Sequence, residues 1–378
     1  MTVIRIALLI GTAVLGAAGG RAPGWEAGGT VRQEFQIGIV DFFGLNRVAV
    51  ENLRQALVFK AGDKVSLDGD TRPTFIAESE QRLAAVTGVA RARIHLVCCE
   101  TGRLIVYVGI EEEGRPPMRF REAPQGTVRL PADIVQAGKD FLEKSTAAIQ
   151  RGDAGEDDTR GHSFFADSAT RAVQERFLTY AARDRATLPA VLGDSSDAAD
   201  RALAAQVLGY VADKQNVVPD LVSAMSDPVG EVRNNAMRAL ALFAKMGSAT
   251  GPPVVRVPPE PFIALLNSPV WTDRNKASLA LLAVSERRDP ALLQTLRRNA
   301  LGPLVEMARW QTRGHAMPAL RILGRIAGER EEAIDAAWNR GERETIIARA
   351  MKEGRTSPRS RKKIGGHVDP ARPRSTPC

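Results

Sequence analysis

Three side chains in one acidic segment have the types and spacing that could hold a metal ion. Glu156, Asp158 and His162 lie within the segment 153–167, which also contains two glycines. Carboxylates that alternate in a loop can bind Ca²⁺, and a histidine beside carboxylates can bind a transition metal. One hypothesis is therefore a metal-dependent enzyme centred on this segment.

The spacing of the same residues favours a simpler interpretation. The acids do not follow the EF-hand pattern, and the sequence has no His-x-x-x-His pair. Gly161-His162-Ser163 lacks the second glycine of a nucleophile elbow, and no phosphate-binding glycine loop precedes a helix. We therefore interpret the segment as a solvated loop between domains, and we expect a chain that is not an enzyme and needs no cofactor.

The elements that would position any site are indicated by a pattern in the second half of the chain. Arginine is followed by alanine three residues on and by leucine four further, and this spacing recurs at steps of 32, 41 and 39 residues. Offsets of three and seven place the side chains on one helix face, and recurrence at this period is typical of stacked helical repeats. The four copies are Arg201-Ala204-Leu208, Arg233-Ala236-Leu240, Arg274-Ala277-Leu281 and Arg313-Ala316-Leu320.

The best-formed copy resembles the second helix of the HEAT-repeat family in its bacterial, HEAT-like form. It runs from Asp227 to Leu240 and begins with a turn at Ser226-Asp227-Pro228. The resemblance covers residues 166–354 and implies an all-α solenoid that contacts other proteins. It also implies that Arg201, Arg233, Arg274 and Arg313 tie neighbouring repeats together through turn residues such as Asp227. A row of arginines that binds a partner is the alternative.

The other copies depart from that pattern. The unit that starts at Ser268 has serine in place of the turn aspartate and carries Asp273 where valine is expected. The last unit has Pro318 inside its predicted helix. Degenerate units at the ends of an array are typical of capping repeats, which face water on one side.

The first half of the chain changes to the two-residue period of strands. Strands are predicted near Phe35–Phe42, Val89–Val97 and Leu104–Glu111, with two helices between the first and the second strand. This β-α-α-β-β order over residues 35–113 resembles the POTRA domain, on the turn Lys60-Ala61-Gly62-Asp63, the helix end at Gly88 and the closing strand. The resemblance implies a small α+β domain that contacts protein.

The remaining segments complete a multidomain organisation. Residues 114–165 are predicted to be a linker with a helix near 131–150. The chain of 378 residues is long enough for two cores, and its 44% hydrophobic and 25% charged residues are ordinary for a folded soluble protein.

The first residues predict export. Arg5 precedes an uncharged run over 6–18, and small residues follow. This layout is typical of a secretory signal peptide, and the run is shorter than the ~20 residues of a membrane-spanning helix. We expect residues 1–22 to be a signal peptide and the protein to be periplasmic or secreted in a bacterium; anchoring by an uncleaved N-terminal segment is the alternative.

The cysteines and the C-terminal tail leave alternatives open. Cys98 is predicted to be a core residue, whereas Cys99 or Cys378 could form an intermolecular disulfide, since three cysteines are an odd number. The tail, 355–378, has seven basic residues and one acid and is predicted to be disordered. An exported tail of this kind is expected to meet anionic lipid or cell-wall polymer rather than nucleic acid.

These observations predict an exported, non-enzymatic scaffold that binds protein partners in the cell envelope. The repeat surface and the POTRA-like domain are the expected contact regions. The alternatives are the metal-dependent enzyme centred on 153–167 and a tether to the envelope through the basic tail.

Overall fold

The computed structural model describes residues 32–68, 72–100, 102–159, 161–246 and 255–352. The predicted signal peptide 1–22 and the predicted tail 355–378, with Cys378, lie outside these ranges. So does the side chain of Cys99. Within the described ranges, a small sheet domain is followed by a helical-repeat array.

The sheet domain is a four-stranded mixed sheet with the strand order β2-β1-β4-β3. β1 pairs antiparallel with β2 and parallel with β4, and β3 pairs antiparallel with β4. The elements are β1 (Arg32–Phe43), α1 (Val50–Ala56), β2 (Lys64–Asp68), α2 (Thr74–Ala84), β3 (Val89–Glu100) and β4 (Arg103–Glu112).

The central strand β4 is buried on both faces. Val106, Val108 and Ile110 belong to the core under α1 and α2. Ile105 and Tyr107 alternate with them and belong to the core of the helical array. A strand whose successive side chains enter two cores must be apolar throughout, and this explains the unbroken apolar run of β4.

Two predictions for this domain were wrong. The β-α-α-β-β order omitted β2, because Lys64–Asp68 contains only two apolar residues, Val65 and Leu67, between charged ends. Cys98 was predicted to be a core residue, but its side chain is exposed and disulfide-bonded.

The array consists of paired helices. Each unit has a first helix, a short turn and a second helix, and the second helices of successive units pack against each other in the order α4, α6, α8, α10, α12, α14. The helices are α3 (Ala132–Gln150), α4 (Ser168–Arg183), α5 (Thr187–Asp194), α6 (Ala198–Leu208), α7 (Lys214–Ala224), α8 (Gly230–Lys245), α9 (Glu260–Leu265), α10 (Trp271–Val284), α11 (Pro290–Ala308), α12 (Arg313–Ile326), α13 (Glu331–Asn339) and α14 (Arg343–Lys352).

Local signals explain several helix starts. Asp167 and Asp197 cap α4 and α6, and Asp289 caps α11 with Pro290 in its first turn. α12 continues through Pro318, which lies inside the helix.

The linker helix belongs to the array. α3 packs against α4 and α6, so that it extends the layer of second helices at the N-terminal end. A two-stranded hairpin, β5 (Glu156–Asp157) and β6 (Phe164–Phe165), lies between α3 and α4.

In the described part of the chain no helix has both the length and the apolar character needed to cross a bilayer.

Candidate interaction surface

Three of the four repeated arginines form a buried ladder, which we define as Arg201, Arg233 and Arg274. Their side chains are 1%, 2% and 3% exposed. Each donates to the carbonyl oxygen six residues before it, at distances of 2.7–2.9 Å. Each ladder arginine therefore stabilises the turn of its own unit.

Each ladder arginine also reaches a carboxylate of the following unit. Arg201 donates to both oxygens of Asp227 at 2.9 and 3.0 Å. Arg233 does the same to Asp273 at 3.0 and 2.9 Å. A buried guanidinium with two parallel bonds to a carboxylate is the strong form of this pair. The ladder thus joins consecutive units.

In the degenerate units, the carboxylate that binds the ladder arginine comes from a different position in the sequence. Asp273 comes from the first turn of α10 rather than from the preceding turn, and it also accepts from the Ser268 hydroxyl at 2.6 Å. In the next unit the acid is Glu306 near the end of α11, which accepts from Arg274 at 2.7 Å. Asp273 and Glu306 thus bind their ladder arginines as the turn residue Asp227 binds Arg201.

The fourth arginine of the pattern is placed differently. Arg313 begins α12 and its side chain is exposed. The buried residue at the start of α12 is instead His315, two positions further on. The predicted ladder of four is therefore a ladder of three.

An extended segment that we call the strap, residues 115–130, lies across the ladder. Arg121 donates from its backbone to Ser226 at 2.7 Å and from its side chain to Asp227 at 2.9 Å. The Phe120 ring lies 3.8 Å from the Arg233 guanidinium carbon. The strap thus uses the same turn carboxylate as the ladder.

The strap continues toward the N-terminal end of the array. Gly126 exchanges backbone hydrogen bonds of 2.8 Å with Asp194 and Ser196. A Cβ atom at Gly126 would lie 2.4 Å from the Asp194 oxygen, so that only glycine permits this approach. Leu130 then donates to Asp200 at 3.1 Å. The predicted linker is therefore a bound segment over these residues.

The sheet domain docks on the turns further along the array. Tyr107 of β4 stacks on Trp271 at a centroid distance of 5.2 Å and packs against Trp310 at 4.9 Å. Its hydroxyl bonds to Nδ1 of His315 at 2.7 Å. This aromatic cluster joins the sheet to α10, the end of α11 and α12.

Polar contacts surround the aromatic cluster. Asp41 accepts from the backbone and side chain of Gln311 at 2.8 and 3.0 Å. Glu306 accepts from the backbone of Gly44 at 2.6 Å. His95 Nε2 lies 3.4 Å from the Pro269 carbonyl oxygen. The interface therefore combines hydrogen bonds with apolar contact.

Burial shifts the titration of groups in this interface. Desolvation lowers the pKa of His95 to about 4, and the positive charges of Arg93 and Arg72 act in the same direction. Desolvation also lowers the pKa of His315 to about 4, with Lys276 adding to the effect. Both histidines are therefore neutral at pH 7.

A groove opens where the strap and the sheet domain do not cover the second helices. It has a volume of about 310 Å³ and lies between α3, α6 and α8. Its apolar walls include Phe141, Leu142 and Leu203, and its polar lining includes Asn234 and Arg238. The groove thus combines apolar walls with amide and guanidinium groups.

The predicted metal segment is tied to the side of this groove. Glu156 is ion-paired with Arg238 and accepts from the Ser163 hydroxyl at 2.5 Å. Asp158 is paired with Lys245 at 3.0 Å. The His162 ring stacks on Tyr210 at 5.8 Å. The two carboxylates are thus already neutralised, and no group of three possible metal ligands occurs within the described residues.

The interpretation of 153–167 as a solvated loop was also wrong. The hairpin β5–β6 is docked, since Phe164 and Phe165 are 2% and 0% exposed. Gln174 of α4 donates to the Ser163 carbonyl oxygen at 2.9 Å and accepts from the Phe165 backbone at 2.7 Å. These bonds fix the hairpin on α4.

Lys276 is close enough to Arg238 and Glu156 to interact with their charges, and its sequence pattern did not predict a buried cation. It is on α10 and only 8% exposed. Burial lowers its pKa to about 8, with Arg238 acting in the same direction and Glu156 opposing it. A signal was present: Lys276 and His315 each follow their repeat arginine by two residues, which places them at equivalent positions of successive units.

Comparisons with known proteins add little to this description. No family model matches the chain, and no curated protein matches it. Among solved structures, a designed armadillo repeat protein is similar, with 16% sequence identity and a TM-score of 0.33. The similarity covers 50% of this chain and 94% of that chain. We base the helical-repeat architecture on the contacts described above.

Proposed function

We propose that this chain is a non-enzymatic scaffold that binds protein partners in the groove between α3, α6 and α8. The observation that carries this proposal is the strap. The array already holds an extended polypeptide by a side-chain bond to its backbone, from Leu130 to Asp200, and by a cation–π contact between Phe120 and Arg233. The groove offers the same kinds of groups beside the strap.

The finer family assignments belong to this proposal. The repeats are HEAT-like, which is supported by a buried arginine that joins each unit to the next through Asp227 and Asp273. The sheet domain is POTRA-like with one additional strand, β2. In this chain its long strand β4 faces the array, so that the domain serves first as an internal partner.

The compartment is also part of the proposal. We infer that the scaffold acts outside the cytoplasm, in the periplasm or after secretion, on the pattern of residues 1–22. N-terminal sequencing of the protein purified from its own organism tests this. A mature chain that begins near residue 23 supports export, and a chain that retains Met1 contradicts cleavage.

Photo-crosslinking from the groove tests the binding function. A photoreactive residue is placed at Gln206 or Asn234, which line the groove, and at Gln294, an exposed position on a first helix, as control. The full chain is expressed in its own organism and crosslinked products are identified by mass spectrometry. We expect the same partner from both groove positions and not from Gln294. Products that are equal at all three positions, or none at all, contradict the proposal.

A further inference from the structure

Three side chains at one end of the groove have oxygens that lack a donor. Asp200 is only 9% exposed and accepts one hydrogen bond, at one of its two oxygens, from the backbone of Leu130. Glu231 makes no hydrogen bond or ion pair with any residue in the described ranges. The side-chain oxygen of Asn234 is buried without a donor. All three residues line the groove, and such oxygens need N–H groups.

The packing of α6 on α8 brings these side chains together. Asn235 donates to the Ala202 carbonyl oxygen at 2.9 Å, which fixes the register of the two helices. Asp200 comes two residues before Ala202, and Asn234 directly precedes Asn235. Glu231 lies three residues before Asn234, which places both on one face of α8. The three side chains thus lie within about one helical turn of each other along the helix axes.

The cations near this end of the groove do not neutralise it. Arg238 lies seven residues after Glu231, about 10 Å further along α8, and is already ion-paired with a carboxylate of the hairpin. Arg129 acts on Asp200, but its guanidinium donates to two serine hydroxyls. Lys139 on α3 is the remaining cation among the lining residues and is exposed. Two acids therefore face one unpaired cation, and this end of the groove favours a positively charged ligand.

The apolar lining suits the stem of a long basic side chain. Leu203 follows Asp200 by three residues on the same face of α6, and Val135 lines the groove from α3. Lysine and arginine bury their methylene groups on apolar surface while their charged ends bind polar groups. A guanidinium offers five N–H donors and an ammonium three. The groove therefore fits arginine side chains of an extended segment.

The chain itself contains such a segment in its basic tail, 355–378. Two of its seven basic residues, Arg372 and Arg374, are separated only by Pro373. A proline reduces the entropy that a chain loses when it is bound. Because the tail is tethered to the array, its effective concentration at the groove is on the order of millimolar, and a modest affinity is sufficient.

The length of the tail allows it to reach the groove. α14 is three second helices beyond α8, about 24–30 Å away at 8–10 Å per helix. The acids lie at the start of α8, and its 16 residues add about 24 Å because α14 ends at the opposite end of the layer. The straight path is thus about 35–40 Å, which ~12 extended residues cover. Arg372 and Arg374 follow Lys352 by 20 and 22 residues and can reach, whereas Arg359 and Arg361 fall short.

We propose that the groove binds the C-terminal tail of its own chain. Arg372 and Arg374 donate N–H groups, and the oxygens of Asp200, Glu231 and Asn234 accept them. The inference goes beyond the proposed scaffold function, because the groove is then occupied from within the chain. A partner that binds the same groove has to displace the tail.

Photo-crosslinking within the purified full chain tests the inference. A photoreactive residue at Ala199 lies in the groove beside Asp200, and one at Gln294 on a first helix serves as control. Chains labelled with ¹⁵N and unlabelled chains are mixed before irradiation, and crosslinked peptides are identified by mass spectrometry. We expect peptides of 355–378 to crosslink to Ala199 of the same chain, with a yield about ten-fold above that at Gln294.

Two results of this experiment overturn the inference. Tail peptides that are absent at Ala199, or equally abundant at Gln294, show that the groove does not bind the tail. Crosslinks that join a labelled to an unlabelled chain show that the tail of a second copy fills the groove instead.

Two double variants separate the arginines that can reach from those that cannot. Arg372→Gln with Arg374→Gln is expected to lower the yield at Ala199 about ten-fold, which corresponds to ~1.4 kcal/mol. Arg359→Gln with Arg361→Gln removes the same charge closer to α14 and is expected to retain the wild-type yield. Equal yields from the two double variants overturn the inference.

A variant of the groove tests the same contact from its other side. Glu231→Gln removes a carboxylate that holds no other group in the described ranges, and the yield at Ala199 should fall about three-fold. Glu332→Gln, at an exposed position on α13, is the matched control and should leave the yield unchanged. Circular dichroism checks that each variant is folded. An unchanged yield from folded Glu231→Gln overturns the inference.

The outcome can be separated from that of the scaffold function. The purified chain contains no partner, so that the crosslink to the tail is found or missed independently of any partner. A partner that crosslinks from Asn234 in the organism, without a tail crosslink in the purified chain, supports the scaffold and overturns this inference.

Discussion

Buried basic side chains at neighbouring positions of the second helices differ in whether a carboxylate binds them. Arg233 and Arg274 hold a carboxylate and a backbone carbonyl at 2.7–3.0 Å. Lys276 and His315, two residues after their own repeat arginines, are also buried but bind no carboxylate within the described residues, and burial lowers the pKa of each. The charges of the ladder are thus compensated by carboxylates, whereas burial disfavours the charged form of both side chains in the second set. Four predictions test this difference.

The largest effect is expected from removing a ladder arginine. Arg233→Met leaves Asp273 buried without its bidentate partner, so that the free energy of unfolding should fall by about 3–5 kcal/mol. Arg313→Met is the matched control, since Arg313 is exposed and its loss should change stability by no more than about 0.5 kcal/mol. Urea denaturation of both variants measures this. Similar losses of unfolding free energy in the two variants would mean that the ladder arginines do not stabilise the fold more than an exposed arginine does.

The second prediction concerns acid. His95 and His315 have pKa values of about 4 in the docked structure against 6.5 when exposed. The unfolded chain therefore binds more protons between pH 6.5 and pH 4, and stability is fully present above 6.5 and falls as the pH is lowered through this window. The slope is about 1.4 kcal/mol per pH unit for each histidine.

The neighbouring charges define the control for this prediction. Arg93 and Arg72 face His95, and Lys276 faces His315. Asp41, whose pKa burial raises, acts in the opposite direction because its protonated form is favoured in the docked state. A double variant with glutamine at both histidines should have a flatter profile of unfolding free energy against pH. A wild-type profile that is flat between pH 6.5 and 5 contradicts the prediction.

A smaller effect is expected from one hydroxyl in the domain interface. Tyr107→Phe keeps the stacking on Trp271 but leaves Nδ1 of His315 buried without the bond of 2.7 Å. The loss should be about 1–2 kcal/mol. Urea denaturation of the full chain measures this loss. Tyr180→Phe, in α4 and away from this interface, serves as control, and a Tyr107→Phe variant as stable as this control would show that the bond is not needed.

The smallest effect has the opposite sign. Lys276→Met removes a buried cation that has no counter-ion among the residues that the structure describes, so that stability should rise by about 1 kcal/mol. For the wild type, a folded pKa of about 8 against 10.5 unfolded means that the unfolded chain binds more protons between these values. Stability therefore increases as the pH rises through that window, and the variant should lack this increase. If Lys276→Met is less stable than the wild type, Lys276 stabilises the fold as the ladder arginines do, and the prediction is wrong.

The sequence was most informative where one repeat copy stayed intact. The turn at Ser226-Asp227-Pro228 and Arg233 predicted both the second helix and a contact between units, because the spacing of a ladder is local to each copy. Asp273 and Glu306 could not be predicted as its acids. They come from different positions in their helices, and only the stacking of units brings them to equivalent places.

The groove and the docked domain were beyond sequence reasoning for a related reason. Tyr107 and His315 are separated by 208 positions, and no pattern within either segment indicates the other. β4 offered a partial signal, since an unbroken apolar strand must be covered on both faces. The side-chain types of Glu156 and His162 suggested a metal site, but the pairing of Glu156 with Arg238 depends on where the hairpin docks.

The direction of the strap has a consequence for how this array can lengthen. Repeat proteins commonly gain length by duplication of a unit, and each added helix layer moves its neighbours apart by about 8–10 Å. Here the strap joins the turn at Ser226 to the turn at Asp194 through hydrogen bonds of 2.7 and 2.8 Å. Further along the array, the sheet domain is hydrogen-bonded to Pro269 and Gln311. A unit duplicated between these contacts would move them apart, whereas the strap and the sheet domain that span them would keep their length. The number of units between α6 and α12 is therefore held constant by a segment that is not itself a repeat, so that gene duplication can extend this solenoid only beyond its tethered middle.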